Sequence, residues 1–133
     1  MRGRVLVRAL FRRYAGVRSS MRREVSEEEI DALARRVCGA LADLAPVAVY
    51  LFGSFARRVV DEWSDLDLAV VLETETPFVE RAGPVLRRLR GLNRSVECLV
   101  YTPAEFERLR RDPRGVIAVV LSEGVPLHER AVA

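Results

Sequence analysis

The sequence predicts an α/β (α+β) fold, a small sheet covered by helices. Segments with helical apolar spacing alternate with short runs of β-branched and aromatic residues, the pattern of a layered sheet-and-helix domain. The chain has 133 residues, the length of one ordinary domain. Half of them are hydrophobic and 31% are charged, a balance that supports a packed core and argues against disorder.

The first boundary falls near Met21, ahead of a clean helix start. Ser26 and Glu29 have the S-x-x-E spacing of a capping box. Ile30, Leu33, Val37, Leu41 and Leu44 then recur at helical spacing, which predicts an amphipathic helix over 26–44, closed by Pro46. Residues 47–52 (VAVYLF) read as a buried strand broken by Gly53-Ser54, and 54–60 as a short helix. Residues 61–64 (DEWS) form a loop, and 66–72 (LDLAVVL) the second strand. After a polar loop at 73–77, Val85, Leu86, Leu89 and Leu92 predict a helix from about Pro84, with proline at the first helical position. Residues 95–101 (SVECLVY) read as a third strand. Thr102-Pro103-Ala104-Glu105 is a second cap signature that opens a helix to about Arg111. Val116, Ile117, Val119, Val120 and Leu121 predict a last, largely buried helix ended by Gly124, and 125–129 is extended.

Charge divides the chain in two. All 22 basic residues are Arg, and Asn93 is the only amide side chain. Residues 1–24 hold eight Arg and one acid, Glu24, a local charge of +7. Residues 25–133 hold 14 Arg and 18 acids, a local charge of −4. The expected organisation is therefore a basic N-terminal arm, 1–24, flexible or upstream of a start at Met21, followed by one domain, 25–133. A mildly acidic domain argues against direct nucleic-acid binding, which needs a basic face on the folded part. No apolar run approaches the ~18 residues of a membrane span. Cys38 and Cys98 lie far apart without metal-ligand spacing and read as free thiols of a cytoplasmic protein.

The chemistry is concentrated in Leu51-Phe52-Gly53-Ser54-Phe55-Ala56-Arg57-Arg58 and Trp63-Ser64-Asp65-Leu66-Asp67-Leu68. Gly53 stands where a strand becomes a helix. There glycine allows close backbone approach, the helix N-terminus favours an anion, and Ser54 adds a hydroxyl, so the pair reads as a phosphate cradle. Asp65 and Asp67, two apart at a strand start, share one face. Two adjacent carboxylates repel unless a cation lies between them, and hard oxygen ligands suit Mg²⁺. Alternation puts Glu97 on the face opposite Val96 and Cys98; if the third strand neighbours the second, Glu97 completes a three-carboxylate cluster. Blander roles stand beside these: a turn glycine at 53, a helix cap at Ser54 and an edge-strand charge at Glu97. Arg57, Arg58, Arg87, Arg88, Arg90 and Arg94 read as solvated positions, Trp63 as a packed loop aromatic and His128 as exposed.

G-S, ten residues, D-x-D and a later strand-borne acid together resemble the signature of nucleotidyltransferases of the DNA polymerase β superfamily, most closely the minimal nucleotidyltransferases, over about residues 25–130. The resemblance implies the nucleotidyltransferase fold, a small mixed sheet of three or four strands flanked by helices. It implies that Gly53 and Ser54, with Arg57 and Arg58, bind nucleotide phosphates. Asp65, Asp67 and Glu97 would be the catalytic and metal-holding acids. The implied reaction is Mg²⁺-dependent transfer of AMP from ATP to a hydroxyl, with loss of pyrophosphate. The implied partner is a HEPN-domain toxin, with this chain as its antitoxin. A non-catalytic antitoxin and a small-molecule nucleotidyltransferase of the aminoglycoside type are the alternatives. Two positions depart from the family pattern: Arg58 stands where Gly is common, and Glu97 where Asp is usual.

Overall fold

The computed structural model describes residues 21–130, so the basic arm up to residue 20 lies outside the described part. The elements in chain order are β1 (Arg23–Glu24), α1 (Glu27–Leu41), β2 (Ala48–Phe52), α2 (Gly53–Ala56), β3 (Val59–Val60), β4 (Leu66–Val71), α3 (Ala82–Arg88), β5 (Val96–Tyr101), α4 (Pro103–Leu109), α5 (Val116–Glu123) and β6 (Val125–Glu129). Short 3-10 turns follow α1 and α3, and one precedes α3. The fold is α/β, as the alternating pattern requires. Arg23 and Glu24, which charge alone groups with the arm, pair with Val60 and Val59 of β3.

The main sheet is mixed, with strand order β5-β4-β2-β6. β2 runs antiparallel to both β4 and β6, and β4 runs parallel to β5. A parallel pair needs a crossover, and α3 supplies it. Alternation divides the sheet residues between two faces. Val49, Leu51, Leu66, Leu68, Val70, Cys98 and Val100 pack with Ile30, Val37 and Leu41 of α1 and with Val85 and Leu89 of α3. Ala48, Tyr50, Ala69, Val71 and Tyr101 pack with Phe106 of α4 and with Ile117 and Val120 of α5. The molecule is thus a sheet between two helical layers, and each buried Leu, Ile or Val contributes roughly 1.5–3 kcal/mol of transfer free energy. Neither cysteine forms a disulfide among the described residues; Cys98 is buried and Cys38 half-buried, and burial pushes the Cys38 thiol up.

Local chemistry sets the ends of the elements. Ser26 Oγ accepts from Glu29 N, but the Glu29 carboxylate turns to Arg23 at 3.0 Å, so only half of the first capping box forms. The second forms completely between Thr102 and Glu105. α3 begins at Ala82, two residues ahead of the proline expected to open it, because the preceding 3-10 turn runs into it. Gly124 ends α5 with an ordinary negative φ of −75°. It must be glycine for space: a Cβ there would run into Val120 O and lie 3.1 Å from Leu51 O.

α5 departs from the expectation of a largely buried helix. Ile117 and Val120 are buried, whereas Val116 and Val119 are 49% and 44% exposed. An eight-residue helix lying on a sheet buries only one stripe, whatever its overall hydropathy. Of the arginines around α3, Arg87 and Arg90 are exposed as expected, and Arg88 departs from a simple solvated face. Arg88 donates to both oxygens of Asp43 at 2.8–3.0 Å and to Pro84 O, tying α3 to the end of α1. That ion pair holds the Asp43 carboxyl below the usual carboxylate range.

Two stability predictions follow from backbone and burial. Arg58 adopts φ +66°, the left-handed region that β-carbons disfavour, while its carbonyl accepts from Val25 N. This explains why glycine suits the position. Arg58→Gly is expected to raise unfolding free energy by about 0.5–1 kcal/mol, read as a rise of a few degrees in Tm, since its exposed 3.9 Å pair with Glu27 contributes little. Arg81, with a side chain only 9% exposed, donates to Glu105 at 2.6 Å and to the carbonyls of Thr76 and Val100. The Arg81 guanidinium holds the Glu105 carboxyl below its ordinary value. A depressed folded-state pKa stabilises above the unfolded value of about 4.3, and this contribution is lost as pH falls through the folded value. Arg81→Ala is expected to cost about 2 kcal/mol at pH 7 in urea denaturation, and to lose less further stability than the parent chain between pH 5 and 3.

Candidate functional site

The candidate site lies where β2 ends and β4 and β5 begin. β2 runs out at Phe52, which pairs with Asp67 of β4. The chain then turns through Gly53 at φ +74°, a conformation glycine adopts without penalty. A β-carbon at position 53 would strike Asp67 Oδ2 and lie 3.1 Å from its Cγ. The Gly53 backbone and the Asp67 carboxylate are therefore in close contact, though 14 residues apart. Ser54 follows at the start of α2, and its Oγ is buried with no hydrogen-bond partner. A shielded hydroxyl without a partner costs free energy in the folded chain and calls for an explanation beyond stability. The blander role of Ser54 as a cap is not used, since α2 has no side-chain cap bond.

Asp65 is delivered by a tight turn over 61–64. Asp61 N donates to Ser64 Oγ at 2.9 Å, Trp63 N to Asp61 Oδ1 at 2.8 Å, and Ser64 N to Asp61 O at 3.2 Å. Asp65 itself is only 7% exposed. A carboxylate so far from water is costly to keep charged without compensating charge or hydrogen bonds. Leu66 and Leu68 point into the α1 side of the core, which puts Asp67 on the opposite face, toward the α4–α5 layer.

The condition for Glu97 is met: β5 neighbours β4, and the register sets Glu97 directly beside Asp67. Neighbouring parallel strands are about 4.8 Å apart, so the two side chains leave the sheet next to each other on one face. β5 is an edge strand, so an anti-aggregation role for Glu97 was a fair alternative. However, Glu97 Oε1 is shut off from solvent, unlike a charge displayed to repel neighbours. Among the described residues, no three His, Cys, Asp or Glu side chains are gathered closely enough to hold a metal ion. Strand register thus aligns the acids without assembling a finished three-ligand site. The donor set still fits Mg²⁺, which usually takes one or two carboxylates and completes its shell with water and phosphate oxygens.

Arg57 and Arg58 are placed against carboxylates: Arg57 lies 3.5 Å from Glu123 at the end of α5, and Arg58 3.9 Å from Glu27. Trp63 is half-buried and His128 exposed. Sequence reasoning missed Arg94, which lies with its guanidinium carbon 4.8 Å from the Phe55 ring centroid and donates to Ser64 O at 3.3 Å. Its position ahead of β5, one residue from an apolar strand, was the only sign.

The family model described as "Polymerase beta, Nucleotidyltransferase" matches residues 40–132. The chain belongs to this family. The match spans β2, α2, β4 and β5, and so covers all the elements that build the site. The solved structure of a candidate minimal nucleotidyltransferase is 29% identical, with a TM-score of 0.54, over 77% of this chain and 96% of the other. A candidate nucleotidyltransferase from Sulfolobus solfataricus is 25% identical, with a TM-score of 0.50, over 74% of this chain and 78% of the other. A toxin–antitoxin structure with AMP-PNP shares the fold at 20% identity and a TM-score of 0.54, over 73% of each chain. No curated protein matches the sequence. Among the described residues no helix is long and apolar enough to cross a membrane.

Gly53 and Ser54 make opposite predictions for stability. Gly53→Ala combines left-handed strain with a clash on Asp67 and is expected to cost about 2–3 kcal/mol in chemical denaturation. Ser54→Ala removes a buried hydroxyl that has no partner in the folded chain, and is expected to leave stability unchanged or raise it by up to about 1 kcal/mol. A loss of more than 1 kcal/mol on Ser54→Ala would assign that serine a structural role.

Proposed function

We propose that this nucleotidyltransferase domain transfers AMP from ATP, with Mg²⁺, to a hydroxyl on a partner protein, and that the partner is a HEPN-domain toxin for which the chain is the antitoxin. The observation that carries the reading is the contact of the Gly53 turn with Asp67, beside Glu97 in register. On this reading the turn would serve as the phosphate cradle, beside the paired acids. The toxin–antitoxin structure with AMP-PNP supports the choice of an adenine nucleotide and of a toxin as partner, through a shared fold.

In this reading the Gly53 turn and Ser54 Oγ receive the phosphates; the backbone approaches closely because there is no side chain, and the hydroxyl donates its hydrogen. Asp65 and Asp67, with Glu97, would hold the metal, and when bound Mg²⁺ supplies charge neutralisation for the transferring phosphoryl group and the leaving pyrophosphate. Glu97, next to Asp67 in register, would polarise the attacking hydroxyl or complete a second metal site. Its side chain is one methylene longer than the usual aspartate and reaches further from the strand. Positioning and electrostatics are the main demands of such a transfer, since little covalent chemistry falls to the protein. In this reading the partner completes the acceptor side of the site.

The decisive experiment incubates the chain with α-labelled ATP, Mg²⁺ and a HEPN-domain protein encoded beside it. Label is expected on the partner, and the Asp65→Ala, Asp67→Ala double variant is expected to reduce transfer at least ~1,000-fold, the scale on which losing electrostatic stabilisation acts. Equal labelling by the double variant would overturn the mechanism. Neutralisation of the partner by that same variant, without label, would instead assign inhibition by contact alone.

A further inference from the structure

Arg94 belongs to neither acid-bearing strand, yet its side chain spans the two halves of the site. Its guanidinium lies over the Phe55 ring, with the guanidinium carbon 4.8 Å from the centroid. Phe55 is buried and immediately follows Ser54 in α2. The same guanidinium donates through Nη1 to Ser64 O at 3.3 Å, the carbonyl immediately before Asp65. One residue further on, Ser95 O accepts from Leu66 N at 3.0 Å, so the start of β4 is held on its β5 side by two successive residues.

The geometry points to Arg94 as a positioning residue that sets the distance between the Ser54 phosphate cradle and the Asp65–Asp67 acids. This rests on the nucleotidyltransferase reading of the site. Arg94 lies behind the site and not in it. Arg94 is exposed on its outer side, and the ring it lies over, Phe55, packs in the α1–α3 core, whereas Asp67 and Glu97 face the α4–α5 layer. It therefore acts through Phe55 and the Ser64 carbonyl. The link also explains why arginine is suited here. A planar guanidinium can stack on an aromatic face and still direct an N–H in its own plane toward a carbonyl, whereas an ammonium makes only a point contact. α2 has four residues and no side-chain cap, so it depends on such outside contacts for its placement. Groups that hold ligands from behind typically change metal affinity or activity by about 10- to 100-fold when removed.

The test uses the full chain and two readouts, with Arg94→Ala and Arg94→Lys. In hydrogen exchange of the protein alone, Arg94→Ala is expected to speed exchange at the amides of 54–56 and 64–66, while Tm changes by no more than a few degrees. By calorimetry, a non-hydrolysable ATP analogue is expected to bind about 10- to 100-fold more weakly in Mg²⁺ and unchanged in EDTA, with Arg94→Lys recovering part of the loss. Unaltered exchange at both segments would overturn the clamp, whatever the nucleotide does. Equal weakening with and without Mg²⁺ would also overturn it, since that is the signature of a direct phosphate ligand. If exchange responds but the parent chain binds no nucleotide in Mg²⁺, the clamp stands as structure and the nucleotidyltransferase reading fails, taking the positioning role with it.

Discussion

The backbone at Gly53 lies against the Asp67 carboxylate with no room for a side chain between them, and much of the molecule is arranged around that approach. β2 must end at Phe52, because the next residue turns into the left-handed region. β4 must pair with β2 so that Phe52 meets Asp67. α2 must begin immediately, since the turn leaves no length for a loop. A shift of one residue in the β2–β4 register would move Asp67 to the opposite face and bury a charge in the α1–α3 core, so the hydrophobic pattern and the site specify the same register.

The two helical layers serve that arrangement unequally. The α1–α3 layer packs on the face away from the acids and holds most of the large aliphatic side chains. The α4–α5 layer lies on the acid face and is smaller, built around the stacked Tyr50–Phe106 pair, with ring centroids 5.6 Å apart. Arg81, buried against Glu105 and the end of β5, fastens the α4 side at the opposite end of the strands from the acids. The site end is left to shorter-range devices: the turn at 61–64, the stack of Arg94 on Phe55, and the ion pair of Arg57 with Glu123.

Much of this was legible in the residues. The strands at β2, β4 and β5 stood out as short β-branched runs bounded by breakers, and Thr102 with Glu105 marked the start of α4 correctly, because these signals are local. The closeness of Gly53 to Asp67 was anticipated by the spacing of the two motifs on adjacent elements. What escaped was non-local. The partial capping box at Ser26 depended on Arg23 competing for Glu29. The exposure of Val116 and Val119 depended on which stripe of α5 met the sheet. Arg88 looked simply solvated because nothing in its neighbours reveals Asp43, and Arg94, exposed as expected, gave no sign of Phe55 across the fold.

By itself the sequence determined the fold class, the family signature and the parity that turns Asp67 away from Leu66 and Leu68, since strand alternation and turn chemistry are properties of a few consecutive residues. Only the tertiary structure decided that β5 lies beside β4 with Glu97 next to Asp67, that a hydroxyl at Ser54 is buried without a partner, and that Arg94 joins the two halves of the site. Those facts depend on strand order and on burial. Both are set by how distant apolar surfaces leave water together, and no short stretch of residues encodes that.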